Sequence, residues 1–345
     1  MTAVADTRAP IFIDVDTGVD DAMALVYLLS SPEANLVGIA STGGNVAVHQ
    51  VCANNLGLLA LCRAPGIPVS KGADHSLTGT TRTAEDTHGP EGLGYARLPP
   101  HARELTSYDA AEAWIRAARK YPQQLVGLVT GPMTNLALAL REEPALLTML
   151  RGLVIMGGSF EYRGNTDVVA EWNVSVDPEA AAEVFAASTA RPPIVLGLNL
   201  TENIVLTPAI LARLAGAAGS STVPMSVLDT RGTRSRATNP LIRVLEDAMR
   251  FYFEFHFDSG EGFLAHLHDP LAAAVALDPA LVRTRPATVG VELTGTLTRG
   301  MTIADWSGRW GREPNAHVGV GVDPTVFFDR FIERVGAFAR RLDER

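Results

Sequence analysis

From its first residues the chain alternates short apolar runs with longer stretches in which apolar residues recur at helical spacing. Ile11–Val15 reads as a strand, Asp21–Ser30 as a helix, Leu36–Ser41 as a second strand and Val46–Arg63 as a long helix. Further strands are predicted at Ile67–Ser70, Leu125–Val129, Leu153–Met156 and Ile194–Asn199. Helices are predicted at Ala110–Tyr121, Asn135–Arg141, Pro178–Ala187, Pro208–Ala215 and Leu241–Phe257. Near the end, Thr288–Leu297 alternates like a hairpin strand, His317–Val322 gives one more strand and Pro324–Arg341 a closing helix. Strand and helix in alternation predict an α/β fold, a mostly parallel open sheet with helices on both faces. There is no internal repeat and one compositional break, Gly216–Asn239, which is small, polar and locally basic through Arg231, Arg234 and Arg236. Loops of that length are usually functional or mobile, so the segment reads either as a lid or as a plain linker. The expected organisation is a single domain over residues 1–345, with its core at about 11–335 and 216–239 as a loop or lid insertion.

Composition narrows the function classes. The 345 residues carry a formal charge of −9, with 29 Lys+Arg against 38 Asp+Glu, which argues against a general nucleic-acid or anionic-membrane binder. Lys71 and Lys120 are the only lysines and no GxxxxGK[ST] occurs, so Walker-type nucleotide hydrolysis has no support. Cys52 and Cys62 fall in one predicted helix, roughly 15 Å apart by helical rise, too far to bridge. With no signal-peptide pattern at the start and no apolar run long enough to span a membrane, the expected location is the cytoplasm.

In open α/β sheets ligands bind outside the carboxyl ends of the strands, and here the residues after each apolar run are polar. Asp14-Val-Asp16-Thr-Gly-Val-Asp20-Asp21 follows the first strand, and Thr42-Gly-Gly-Asn45 the second. Thr130-Gly-Pro-Met-Thr134-Asn135 follows the Leu125 strand, while Gly157-Gly158 and then Asn165…Glu171-Trp172-Asn173 follow the Leu153 strand. His266-Leu-His268-Asp269-Pro270 opens an Ala-rich helix. Period-two alternation puts Phe12, Asp14 and Asp16 on one strand face, and Gly18 allows a turn that aims Asp20 and Asp21 at the same mouth. Four carboxylates within eight residues repel one another unless something positive sits among them, and oxygen ligands of this kind suit Ca²⁺ or Mg²⁺.

Plainer readings compete. Asp20 and Asp21 also suit a helix N-terminus, and Asp269 before Pro270 has the form of an N-cap, as does Asp177 before Pro178. An EF-hand fails because its twelfth loop position would be Leu25. A haloacid-dehalogenase-type phosphatase needs a threonine where this chain has Gly18, and a later lysine. His266-x-His268 could begin a zinc site, but no further His or Cys stands at ligand spacing.

Taken with His88-Gly89-Pro-Glu-Gly92-Leu-Gly94, Met156-Gly157-Gly158, Asp177-Pro178-Glu179-Ala180 and Glu292…Thr302…Asp305, these motifs resemble the inosine-uridine-preferring nucleoside hydrolases, in order and approximate spacing from about Ile11 to Val335. The resemblance implies a Rossmann-like fold with its site at the carboxyl ends of the strands, and Ca²⁺-dependent hydrolysis of ribonucleosides to base and ribose. By it, Asp16, Asp21, Asp269 and the carbonyl of Thr130 hold the metal. Asp20, Asn45, Asn165, Glu171 and Asn173 grip the ribose, and His88, Tyr252 and His256 are substrate contacts. Asp16 is then the general base and His268 the leaving-group acid. The expected partner is a small ribonucleoside, with no nucleic acid and no membrane, in a homodimer or homotetramer. Thr17 stands where the commonest family motif has proline, which predicts a less rigid turn. Tyr252, Phe253 and His256 read equally well as an aromatic stripe packed in the core, and base preference is left open. The competing function is a Ca²⁺-dependent nucleoside- or ribose-binding module without turnover, against which the retention of Asp16 and His268 argues.

Overall fold

The computed structural model describes residues 7–344. Its main sheet has nine strands: β1 (Ala9–Val15), β2 (Ala34–Ser41), β3 (Val69–Lys71), β4 (Val126–Val129), β5 (Gly152–Met156), β6 (Ile194–Leu196), β9 (Val282–Val291), β10 (Thr302–Asp305) and β11 (Ala316–Val322). A small antiparallel ribbon pairs β7 (Val205–Leu206) with β8 (Ala265–His266). The order across the sheet is β10-β9-β11-β6-β5-β4-β1-β2-β3. All neighbours from β11 to β3 run parallel, while β9 pairs antiparallel with both β11 and β10. The fold is therefore a mixed, mostly parallel α/β sheet, as the alternation predicts.

β1 shows why the sheet is covered twice. Ile11, Ile13 and Val15 join one apolar cluster, and Phe12 joins the other. A strand buried on both faces needs helices on both. The first layer contains Val19–Ser30, Pro240–Asp258, His268–Leu277 and Pro324–Asp343; the second contains Ala110–Lys120, Thr134–Glu142 and Pro178–Ala186. Parallel strands point their carboxyl ends the same way, so the segments after β1, β2, β4 and β5 open on one rim.

Two predicted strands shift. Ile194–Asn199 stops at Leu196, because Gly197 starts a one-turn helix, Leu198–Thr201. The alternation at Thr288–Leu297 belongs to the end of β9, which begins at Val282. Cys52 and Cys62 are buried and unbridged, and burial pushes the Cys62 thiol up to about 12.

The Gly216–Asn239 segment is loop from Ala218 onward, tied to the Pro240–Asp258 helix. Thr222 and Ser235 donate to Glu246, and Arg231 pairs with Asp258. Arg250 reaches back from the helix, only 2% exposed in its side chain, to donate to Glu254, to Asp229 at 3.2 Å and to the carbonyl of Ser226 at 3.1 Å. Two of its three arginines, Arg231 and Arg234, face acids of this helix. No residue of 218–239 lines the cavity described next.

Candidate active site

A cavity of about 540 Å³ opens at the carboxyl ends of the strands. Its acidic end begins where β1 stops. The Val19–Ser30 helix starts after three intervening residues and carries Asp20 and Asp21 in its first turn. Gly18 is required at that turn, since a Cβ there would lie 2.5 Å from His88 Nδ1 and 2.6 Å from Asn45 Nδ2. The slack expected from Thr17 is taken up by its hydroxyl, which donates to Asn55 Oδ1 at 2.6 Å. Asp269 comes from the first turn of the His268–Leu277 helix. It is not the N-cap, a place held by Leu267, so its carboxylate is free to face Asp20 and Asp21. Ligand oxygens of these three carboxylates lie within 4.8 Å of one another.

Asp14 is not part of this group. Its carboxylate accepts hydrogen bonds from Thr42 (2.6 Å), Trp114 Nε1 (2.8 Å) and Asn135 Nδ2 (2.9 Å), a closed network behind the site. The cluster read from the sequence thus loses Asp14 and gains Asp269. Asp16 stays beside it: Oδ2 accepts the backbone N–H of Asn45 at 2.8 Å, and Oδ1 is buried with no hydrogen-bond partner. Gly44 permits this contact, because a Cβ on it would collide with Asp16. Asp21 accepts from Gly18 N, Asn45 Nδ2 and Thr130 Oγ1.

Burial and mutual repulsion push these acids up. Asp16 is raised well above its ordinary range by burial and then by Asp21. Asp20 is raised to about 7 by burial and Asp21, and Asp21 to about 6 by burial. Asp269 is raised strongly by burial and by Asp20, Asp21 and Asp16. The cationic side chains of the lining are engaged elsewhere, Arg82 with Ser175 and Thr166 and Arg163 with Glu202 and Glu261. Buried carboxylates this close hold together through shared protons or a cation, and an all-oxygen donor set suits a hard divalent ion.

Along the middle of the cavity lie amide and carboxylate groups. Glu171 caps the Trp172–Val176 helix, accepting from the backbone N–H groups of Asn173 and Val174, and it also accepts from Gly158 N. Burial raises it to about 7. Asn173 Nδ2 donates to the carbonyl oxygens of Thr130 (2.7 Å) and Met156 (3.2 Å), and exposed Asn165 accepts from Trp172 N. Asn45 Oδ1 is buried and unpartnered.

The far end is imidazole-rich: His88 and His256 pack against Tyr252, and His266 joins His256 to His268. Burial holds His88 down to about 3 and His256 to about 4, and His268 well below its ordinary value. Val19 N donates to His88 Nδ1 at 3.1 Å, so the proton of this neutral ring sits on Nε2. Tyr252 and His256 therefore line the cavity as well as packing, while Phe253 is wholly core.

The model for the inosine-uridine preferring nucleoside hydrolases matches residues 11–329. The chain belongs to that family. It is a ribonucleoside hydrolase. It is 36% identical over 331 residues to the pyrimidine-specific ribonucleoside hydrolase RihA of Salmonella typhi, covering 96% of this chain and 99% of that one. A purine-preferring ribonucleoside hydrolase from Gardnerella vaginalis superposes with a TM-score of 0.85 at 32% identity, over 96% of this chain and 99% of the other. A plant nucleoside hydrolase gives 0.84 at 29%, over 95% and 99%. No helix among the described residues is long and apolar enough to cross a membrane.

In this nucleoside hydrolase Asp20, Asn45, His88, Thr130, Asn165, Glu171, Asn173, Tyr252, His256, His268 and Asp269 all line one cavity; Asp16 and Asp21 lie immediately behind its acidic wall. The stretch Glu292…Asp305 stays on the antiparallel edge, apart from Thr302, whose hydroxyl bridges the backbone N–H and carbonyl of Ser159. Sequence reasoning missed Glu261, Arg163 and the engagement of His266. Glu261 joins His256 Nδ1 at 2.8 Å and stands 3.6 Å from His266 Nε2. The ligand atoms of this trio also lie within 4.8 Å of one another. Its outer ring nitrogens, His256 Nε2 and His266 Nδ1, have no partner, whereas imidazoles that ligate metals normally donate from that second nitrogen. The spacing of an aromatic helix end, a turn and His-x-His is the signal that was available.

Proposed function

We propose that hydrolysis of the ribonucleoside N-glycosidic bond depends on Ca²⁺, with Asp16 as general base and His268 as hydrogen donor to the departing base. The observation that carries this reading is the state of Asp16: one carboxylate oxygen is fixed by Asn45 N and the other is buried, unbonded and beside the acidic cluster. Asp16, Asp21, Asp269 and the Thr130 carbonyl would hold the ion, with Asp20 bordering them. When bound, a divalent ion there lets the carboxylates ionise together and gives water and ribose hydroxyls a common point of attachment.

In the reaction a water oxygen bonds to C1′ as the C1′–N bond breaks, and the bonding pair leaves with the base. Asp16 takes a proton from the water, and nearby carboxylates stabilise the positive charge that develops on the sugar. Glu171, Asn173, Asn165 and the free carbonyl of Asn45 orient the ribose. His88, Tyr252 and His256 meet the base. His268 is neutral in this setting, so it offers a hydrogen bond to charge building on the base.

The test is a reducing-sugar assay on inosine, uridine, cytidine and adenosine, with and without a chelator. Release of ribose that stops on chelation and returns with Ca²⁺ is expected. Undiminished turnover in metal-free protein excludes the ion's role, and tight nucleoside binding without ribose release restores the binding-module reading.

A further inference from the structure

His268 is held by a residue to which no role attaches so far. Thr201 ends the one-turn helix after β6; it is fully buried, and its hydroxyl lies 2.7 Å from His268 Nδ1 and 3.3 Å from the carbonyl of Gly197. A hydroxyl has one proton to give, so the two neighbours compete for it. The Gly197 carbonyl already accepts the backbone N–H groups of Leu200 at 2.9 Å and Thr201 at 3.0 Å. That oxygen already carries two donors and the hydroxyl approach is the longest of the three, so it is a weaker acceptor than the imidazole nitrogen at 2.7 Å. The proton therefore points to the imidazole.

With Nδ1 accepting, His268 is neutral and its own proton sits on Nε2. His268 borders the cavity, and Nε2 is the nitrogen left for a ligand. We infer that Thr201 is a positioning residue for hydrolysis: its hydroxyl holds His268 in the Nε2–H tautomer and aims that donor at the departing base. The opposite tautomer would present a lone pair to a group that is gaining negative charge, which raises the barrier rather than lowering it. His88 has the same tautomer, imposed by the backbone N–H of Val19. The two rings thus offer N–H groups to one cavity, one fixed by main chain and one by a side chain that can be changed. This inference rests on the reading of the cavity as a nucleoside site.

Thr201→Val keeps the shape and removes the donor; Thr201→Ser keeps the donor. Each full-length variant is assayed with the best nucleoside of the panel and with nitrophenyl riboside, whose leaving group departs as a stabilised anion without help. Thr201→Val is expected to lower kcat on the nucleoside about 10–100-fold, with KM and nitrophenyl riboside turnover within about threefold of the parent. Thr201→Ser is expected to recover kcat to within about threefold. Histidine ¹⁵N spectra of the parent, with His268 assigned by its loss in His268→Ala, are expected to show a pyrrole-like Nε2 and a pyridine-like Nδ1. An active parent with an indifferent Thr201→Val, equal losses on both substrates, failure of serine to rescue, or an Nδ1–H tautomer overturns the inference. A parent inactive on every nucleoside overturns the reading of the cavity, and the inference falls with it.

Discussion

Asp14 lies in β1 and Asp16 just past its end, two residues on, yet one is tied off and the other left open. Three donors reach Asp14, two of them from beyond residue 100, whereas Asp16 keeps an oxygen without a partner. Nothing within the motif separates them; the difference is made by Trp114 and Asn135, which arrive through the fold. Asp20 and Asp21 were legible because acids just after an apolar run are placed at the rim by topology alone; Asp269, whose own surroundings read as an N-cap, entered through the family resemblance. Glu261 and Arg163 were not, since a helix end and a loop bring them together only in three dimensions. Asp16→Asn keeps a neutral oxygen and removes the proton acceptor. Its kcat is expected to fall about 10²–10⁴-fold while nucleoside affinity, measured by calorimetry, stays within about tenfold. An equal loss of affinity would make Asp16 a ligand first and a base second.

Helices and strands emerged from periodicity with errors at their ends, and the ends are where tertiary contacts decide. Gly197 closes β6 and opens the Leu198–Thr201 turn, which carries Thr201 to His268. The 218–239 segment shows the limit of composition: a polar, locally basic stretch left lid and linker open, whereas Arg231 and Arg234 meet acids of the Pro240–Asp258 helix. Arg250, buried with Glu254 and joined to Asp229, is the pin of this arrangement. Arg250→Ala removes the buried cation beside Glu254, which keeps Tyr95, the Gly232 N–H and Arg231 at 3.7 Å, and is expected to cost about 3 kcal/mol in denaturant unfolding. KM values across the nucleoside panel are expected to hold in the fraction that remains folded. A change in KM without loss of stability would return the segment to the status of a lid.

At the scale of the whole molecule the acidic cluster couples stability to pH, and through the proposed ion to Ca²⁺. Without a cation, Asp20 and Asp21 titrate near about 7 and about 6 in the folded chain, against 3.8 for the ordinary carboxyl. The folded state then holds protons that the unfolded state has released. This contribution is full below pH 3.8 and is lost as pH rises through 6 to 7. In chelator, Tm is expected to fall between about pH 5 and about pH 7.5, and Ca²⁺ should remove most of that fall by binding the folded state. A Tm indifferent to both would mean that the cluster takes no ion. The same geometry also bears on biosynthesis. Asp20 and Asp21 lie near the start of the chain, and Asp269 follows roughly 250 residues later. The Val19–Ser30 helix is buried along nearly its whole length, and the His268–Leu277 helix is one of its main neighbours. A chain that stops short of that late helix lacks one of the three clustered carboxylates and leaves an apolar surface bare. Prematurely ended products therefore have an incomplete acidic cluster and an adhesive face, fit for chaperones and proteases rather than for reduced activity.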